Sequence, residues 1–262
     1  MRYRSKRAER SLRSWVVLSA LLLTGCGDPA VSKDQTENTT TEITTEENTT
    51  EATEPESDLA AAKAGSLITF GHYEQDNDTS NGKEPIEWIV LEKRKDGSLL
   101  VVSRYALDVQ PYNTERISVS WMTCTLRGWL NGTFLNTAFS QDEQAVISTD
   151  NPSNAEYTSY GADAEDPVFL FSIYEINETF AKDADGKSVS WMCKPTAYAK
   201  AQGIWTFDGG EYDGNCRWWL RSLGDDTTNA AYVGFNGSVY NLGRCVNRDN
   251  TAIRPALVIK PE

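Results

Sequence analysis

The sequence predicts an α+β domain, with short antiparallel strands at both ends and helices in the middle. Three observations lead there. Strand-like runs flank an Asp-Gly turn at residues 96–97. Helical spacing and capping boxes occupy the middle of the chain. Short apolar runs broken by glycines fill the last quarter.

Leu67-Ile-Thr-Phe70 reads as a short strand. Ile86–Leu91 and Ser98–Ser103 follow, and Lys95-Asp96-Gly97 between them is a hairpin signal. Leu126, Trp129 and Leu130 lie at i, i+3 and i+4, one face of a short helix. Asn131-Gly132 should end it, since both residues tolerate the left-handed conformation. Ser140…Glu143 is a capping box opening a helix to about Ile147, and Ser172…Glu175 is another. A further helix is predicted from Pro195 through Ala201. Arg217–Ser222, Ala230–Phe235, Ser238–Tyr240 and Ala252–Ile259 are strand candidates, punctuated by Gly224, Asn236-Gly237 and Gly243. Their spacing predicts an antiparallel meander.

The first 25 residues read as a secretory leader. Six basic residues precede the apolar run Trp15–Leu23, which is half the length a membrane span requires. Leu23-Thr24-Gly25-Cys26 matches a bacterial lipobox, with small residues before a thiol that takes a diacylglycerol. Cys26 is thus the expected lipid-attachment residue, placing the mature protein on the outer face of the cell membrane. Residues 27 to about 58 are rich in Thr and Glu and nearly free of large apolar groups. Such a stretch cannot offset its chain entropy by burial, so a disordered spacer is expected. The expected organisation is a leader at 1–25, lipidated Cys26 with an acidic tether to 65, and one globular domain over 66–262.

The formal net charge is −13, and removing the leader takes away six bases and one acid. The mature chain is therefore more acidic still. That argues against nucleic acid and against adhesion to anionic lipid head groups. After Cys26 four cysteines remain: Cys124, Cys193, Cys216 and Cys245. Two disulfides and four buried thiols are both open readings in an exported chain. There is no CxxC pair and His72 is the only histidine, so no zinc site is expected.

Several ordered stretches resemble a known family. They are Pro85-Ile-Glu-Trp88, Trp121…Leu126-Arg-Gly-Trp-Leu-Asn131…Phe134–Phe139, Pro195–Ala201, Trp218-Trp-Leu-Arg-Ser222 and Arg254-Pro-Ala-Leu257. Together they resemble DUF6273, a bacterial domain of unknown function. The resemblance implies a lipid-anchored or secreted protein of Gram-positive bacteria. It brings no established activity. The closing Trp-rich strand, Gly-Ser-Val hairpin and Arg-Pro-Ala also look like the end of C-type-lectin-like and formylglycine-generating-enzyme-like folds, which concerns fold only.

Chemistry is sparse. Serine or cysteine catalysis of the triad type needs a histidine, and His72 reads as a surface or turn residue. Asp183-Ala-Asp185-Gly186 fails the register of a calcium loop, and Asp76, Asp78, Ser80 and Glu87 fit it imperfectly, so both read as turns. The remaining lead is aromatic: Trp205, Tyr212 and Trp219 beside Asp213 form a candidate ligand site. Trp88, Trp129 and at least one of Trp218 and Trp219 are expected in the core, and Arg221 and Arg254 in structural ion pairs. The expected function is a non-catalytic surface module without a cofactor, bound to the membrane through Cys26, with a cell-wall glycan or surface protein as ligand. An enzyme of the formylglycine-generating type and a structural envelope protein are the alternatives.

Overall fold

A computed structural model of the chain describes residues 58–149, 165–180 and 190–261. The expected leader, Cys26, most of the expected tether and the stretch 183–186 lie outside the described residues. All described residues belong to one compact unit, Glu51–Glu262. No helix among them is long and apolar enough to cross a membrane.

Chain order begins with β1 (Leu67–Tyr73), β2 (Glu84–Lys93), β3 (Leu99–Ser103) and β4 (Asp108–Val109). Next come α1 (Thr125–Trp129), a π-turn at Leu130–Phe134, α2 (Leu135–Ala138), α3 (Gln141–Ala145) and β5 (Ile147–Ser148). A second π-turn (Glu175–Thr179), α4 (Ala197–Ala201) and a 3-10 turn (Gly210–Tyr212) follow. The chain closes with β6 (Trp218–Leu223), β7 (Asn229–Val233), β8 (Val239–Cys245), β9 (Ala252–Ile253) and β10 (Ala256–Ile259). Two five-stranded sheets result, in the orders β1-β2-β3-β10-β5 and β4-β9-β6-β7-β8.

The first sheet forms as the alternation predicts. In β2, Ile86, Trp88 and Val90 turn inward and are at most 1% exposed. The β2–β3 turn is locked by Asp96, whose Oδ1 accepts from Ser98 N (3.0 Å) and Ser98 Oγ (2.7 Å). β3 and β10 are buried on both faces and read as unbroken apolar runs. β1 carries a bulge between Thr69 and His72. Gly71 sits there at φ +71°, and a Cβ would run into the Phe139 ring. His72 is exposed, as expected of a surface histidine.

The helical middle requires correction. The domain is mixed α+β, but strands dominate it. The helices have four or five residues each. Helices this short are not stable alone. They persist by packing along strands: α2 on β1, α3 beside β5, α4 beside β4. They do not form a central layer. The middle of the sequence also contributes Phe169, which bridges Ala256.

Both capping boxes form. Ser140 Oγ accepts from Glu143 N (3.2 Å) while Glu143 Oε2 accepts from Ser140 N (2.7 Å). The Ser172–Glu175 pair is reciprocal in the same way, at 3.2 and 2.6 Å. It opens a π-turn instead of an α-helix. α4 starts behind Thr196, whose Oγ1 accepts from Ala199 N (3.1 Å). Asn131-Gly132, by contrast, does not end α1. Asn131 Nδ2 donates to Arg127 O (3.1 Å) and Val168 O (3.0 Å), and its Oδ1 accepts from Val168 N (2.9 Å). That clamp holds Asn131 in helical backbone, and the helix runs on through the π-turn into α2.

The closing meander is also shorter than expected. β6, β7 and β8 are antiparallel neighbours, but β9 pairs parallel to β6 and β10 crosses to the first sheet. Arg254-Pro255 divides them, since proline cannot continue a ladder. Arg254 turns inward, donates from Nε to Ser103 O (3.0 Å) and lies over the Trp218 ring. Among the described residues it forms no ion pair, contrary to expectation. Arg221 does: its Nη1 stands 2.7 Å from Glu175 Oε2.

Candidate functional site

The predicted aromatic residues divide. Trp219 is fully buried in β6. Its Nε1 donates to Gln110 O (3.0 Å), and the Tyr112 ring packs on it edge-on at 5.9 Å. Trp219 is therefore core, which removes it from the ligand site. Adjacent strand residues face opposite sides, but β6 is covered on both, so Trp218 is buried as well.

Trp205 and Tyr212 do come together, through partners that the sequence reading missed. The loop after α4 is pinned by Phe207 N to Asn215 O (2.8 Å) and Gly214 N to Phe207 O (2.9 Å). Phe207 then stacks on Phe235, from the β7–β8 turn, with centroids 4.3 Å apart. Trp205 and Tyr212 stand edge-on to Phe235 at 5.9 and 5.8 Å. Trp205 remains 46% exposed. Asp213 is exposed, and its Oδ1 accepts from Gly209 N (2.9 Å), which closes the turn. Phe235 precedes Asn236-Gly237, so only a correct pairing of hairpin and loop could have revealed it.

The same surface continues onto the second sheet. Arg217 places its guanidinium over the Trp205 ring at 5.2 Å. Arg217 and Trp219 are two residues apart and share a face, and Trp219 pairs with Tyr232, which pairs with Tyr240. Tyr232 and Tyr240 stack in parallel, with centroids 4.8 Å apart and planes 2° apart. Arg244 lies over both Trp219 (6.0 Å) and Tyr232 (5.8 Å). Burial, then the charge of Arg217, pushes its pKa down to about 10, with Arg248 adding to the repulsion.

Residues 96–261 match the family model for a domain of unknown function (DUF6273). The chain belongs to this family. No curated protein matches the chain, and no solved structure does. The DUF6273 match holds the whole aromatic and arginine surface. It leaves out β1 and β2.

Outside the match lies an acidic niche. Glu74, Asp76 and Glu84 bring carboxylate oxygens within 4.8 Å of one another. Asp76 and Glu84 border a cavity of about 450 Å³ that also touches Thr69, Tyr105 and Pro195. Burial and then the Glu84 charge raise the Glu74 carboxyl above its ordinary value. Asn81 and the Asp78 N–H hold Asp76 below its own. Such oxygens suit a hard cation, but Glu84 Oε2 already accepts from Gln75 N (2.6 Å). Asp76 and Asp78 are likewise spent on turns, toward Asp78 N and Ser80 N. Glu87 pairs with Arg104 at 2.9 Å. The calcium-like spacing is thus a turn built of carboxylates.

All four cysteines of the DUF6273 domain are free thiols, three buried and Cys245 partly so. Cys124 caps α1, its Sγ accepting from Arg127 N (3.5 Å). Burial pushes its thiol up to about 11 and raises those of Cys193 and Cys216. A reactive cysteine needs the opposite shift.

Proposed function

We propose that this chain is an extracellular lipoprotein, anchored through Cys26, whose DUF6273 domain is a non-catalytic module binding a glycan or a protein. The exposed Trp205 carries the reading, held on a rigid set of rings with Phe207, Tyr212 and Phe235. Rings fixed before binding cost little ordering entropy when a ligand arrives. Flat aromatic faces also accept the C–H face of a sugar. The raised thiols speak against a formylglycine-generating type of enzyme. The closing Trp-rich strand, hairpin and Arg-Pro-Ala support a C-type-lectin-like kinship.

Two experiments test this. A glycan array and a cell-wall pull-down with the full chain should find a ligand, and Trp205→Ala should weaken it about tenfold, the effect of losing roughly 1.4 kcal/mol. Silence in both, with the protein folded, overturns the binding reading. Cys26→Ser should abolish the lipid mass and release the protein from the membrane fraction. An unchanged mass and an unchanged fraction overturn the anchor.

A further inference from the structure

The second sheet carries an arrangement that stability does not explain. Arg217, Arg244 and Arg248 lie close enough for each of the other two to depress the charge on Arg244. The chain has 38 acidic residues against 25 basic ones. Yet among the described residues no carboxylate pairs with any of the three, and the ion pairs found involve Arg104, Arg127 and Arg221. Arg244 Nη2 spends a donor on Asn250 Oδ1 (2.9 Å), and Nη1 is buried without a hydrogen-bond partner, so Arg244 acts on the surface through its charge. Like charges gathered without counter-ions are destabilising. An acidic protein that gathers its cations without counter-ions has a surface suited to an external anion.

The flanking groups narrow the class. Trp205 lies beneath Arg217 and is 46% exposed, and Tyr240, stacked on Tyr232, is 39% exposed. Sugar rings pack on such flat faces, while their carboxylate or phosphate groups meet guanidinium forks. Elsewhere the acidic surface repels a polyanion, which confines binding to this patch and disfavours densely charged nucleic acid.

We propose, resting on the binding-module reading, that the ligand is an acidic polysaccharide, whose anionic groups pair with Arg217 and Arg248, with Arg244 adding its charge from beneath, while its sugars lie on Trp205 and Tyr240. The test titrates the full-length protein with polygalacturonate, a phosphomannan, neutral dextran and polyglutamate. At least one of the two acidic sugar-type polymers should bind ten times or more tighter than dextran. The tighter of them identifies carboxylate or phosphate as the anion. Arg217→Gln and the exposed Arg248→Gln should each weaken that binding several-fold and flatten its salt dependence. Arg248→Gln changes a surface side chain, so its folding is not at issue. Equal binding of polyglutamate overturns the polysaccharide. Preference for dextran overturns the anion but leaves the binding module standing. Silence toward all four polymers overturns this proposal, while the wall pull-down separately decides the module.

Discussion

Replacing Arg221 with Met should lower the unfolding free energy by about 3–5 kcal/mol. Arg221 and Glu175 are the most enclosed of the ion pairs among the described residues, with side chains 7% and 1% exposed. Arg221 Nη1 also donates to Leu170 O (2.7 Å). The variant keeps the volume but strands a carboxylate in the core. Burial already raises the Glu175 carboxyl above its usual range, and Arg221 opposes that rise. Without Arg221 the rise grows. The folded state then holds the Glu175 proton more tightly than the unfolded state does. The deficit is therefore largest at neutral pH and shrinks as pH falls toward the ordinary carboxylate range. Urea midpoints at pH 7 and about pH 5 would measure this. An equal loss at both pH values would show that the pair is not what holds the site, and adding Glu175→Gln should restore part of the stability.

Trp219→Ala should cost a similar amount, about 3–5 kcal/mol, because it removes a fully buried indole and leaves a cavity. It also leaves Gln110 O without its donor and Tyr112 without one of its two ring partners. A ligand-contacting tryptophan would behave otherwise, losing binding with little loss of stability, as expected for Trp205→Ala. Thermal melts of the two variants separate these outcomes. A melting temperature within a degree or two of the parent for Trp219→Ala would return that residue to the surface.

The two variants also mark what the residues disclose before folding. Local chemistry was legible. Asp96-Gly97 made its turn, Ser140 and Ser172 made their capping boxes, and β2 put Ile86, Trp88 and Val90 inside. Long-range pairing was not. Asn131 reads as a helix stop until Val168 supplies its clamp, 37 residues away. Trp219 reads as a ring beside a Gly-rich loop until Tyr112 covers it. The site shows the same division. Trp205 and Tyr212 are near in sequence and were found, while Phe235 reaches them only from the β7–β8 turn, and Arg244 reaches Trp219 and Tyr232 only across that hairpin. Asp213 looked like a ligand group because carboxylates often flank sugar sites, but its oxygen closes its own turn.

The position of β10 has a consequence in time. It fills the middle of the first sheet, with Leu99 opposite Ile259 and Ile259 opposite Ile147. β3 and β5 therefore have no contact ladder between them until residues 256–259 have been synthesised. Pairings so distant along the chain also form slowly. The first sheet therefore closes only after β10 has followed both of its neighbours in the chain.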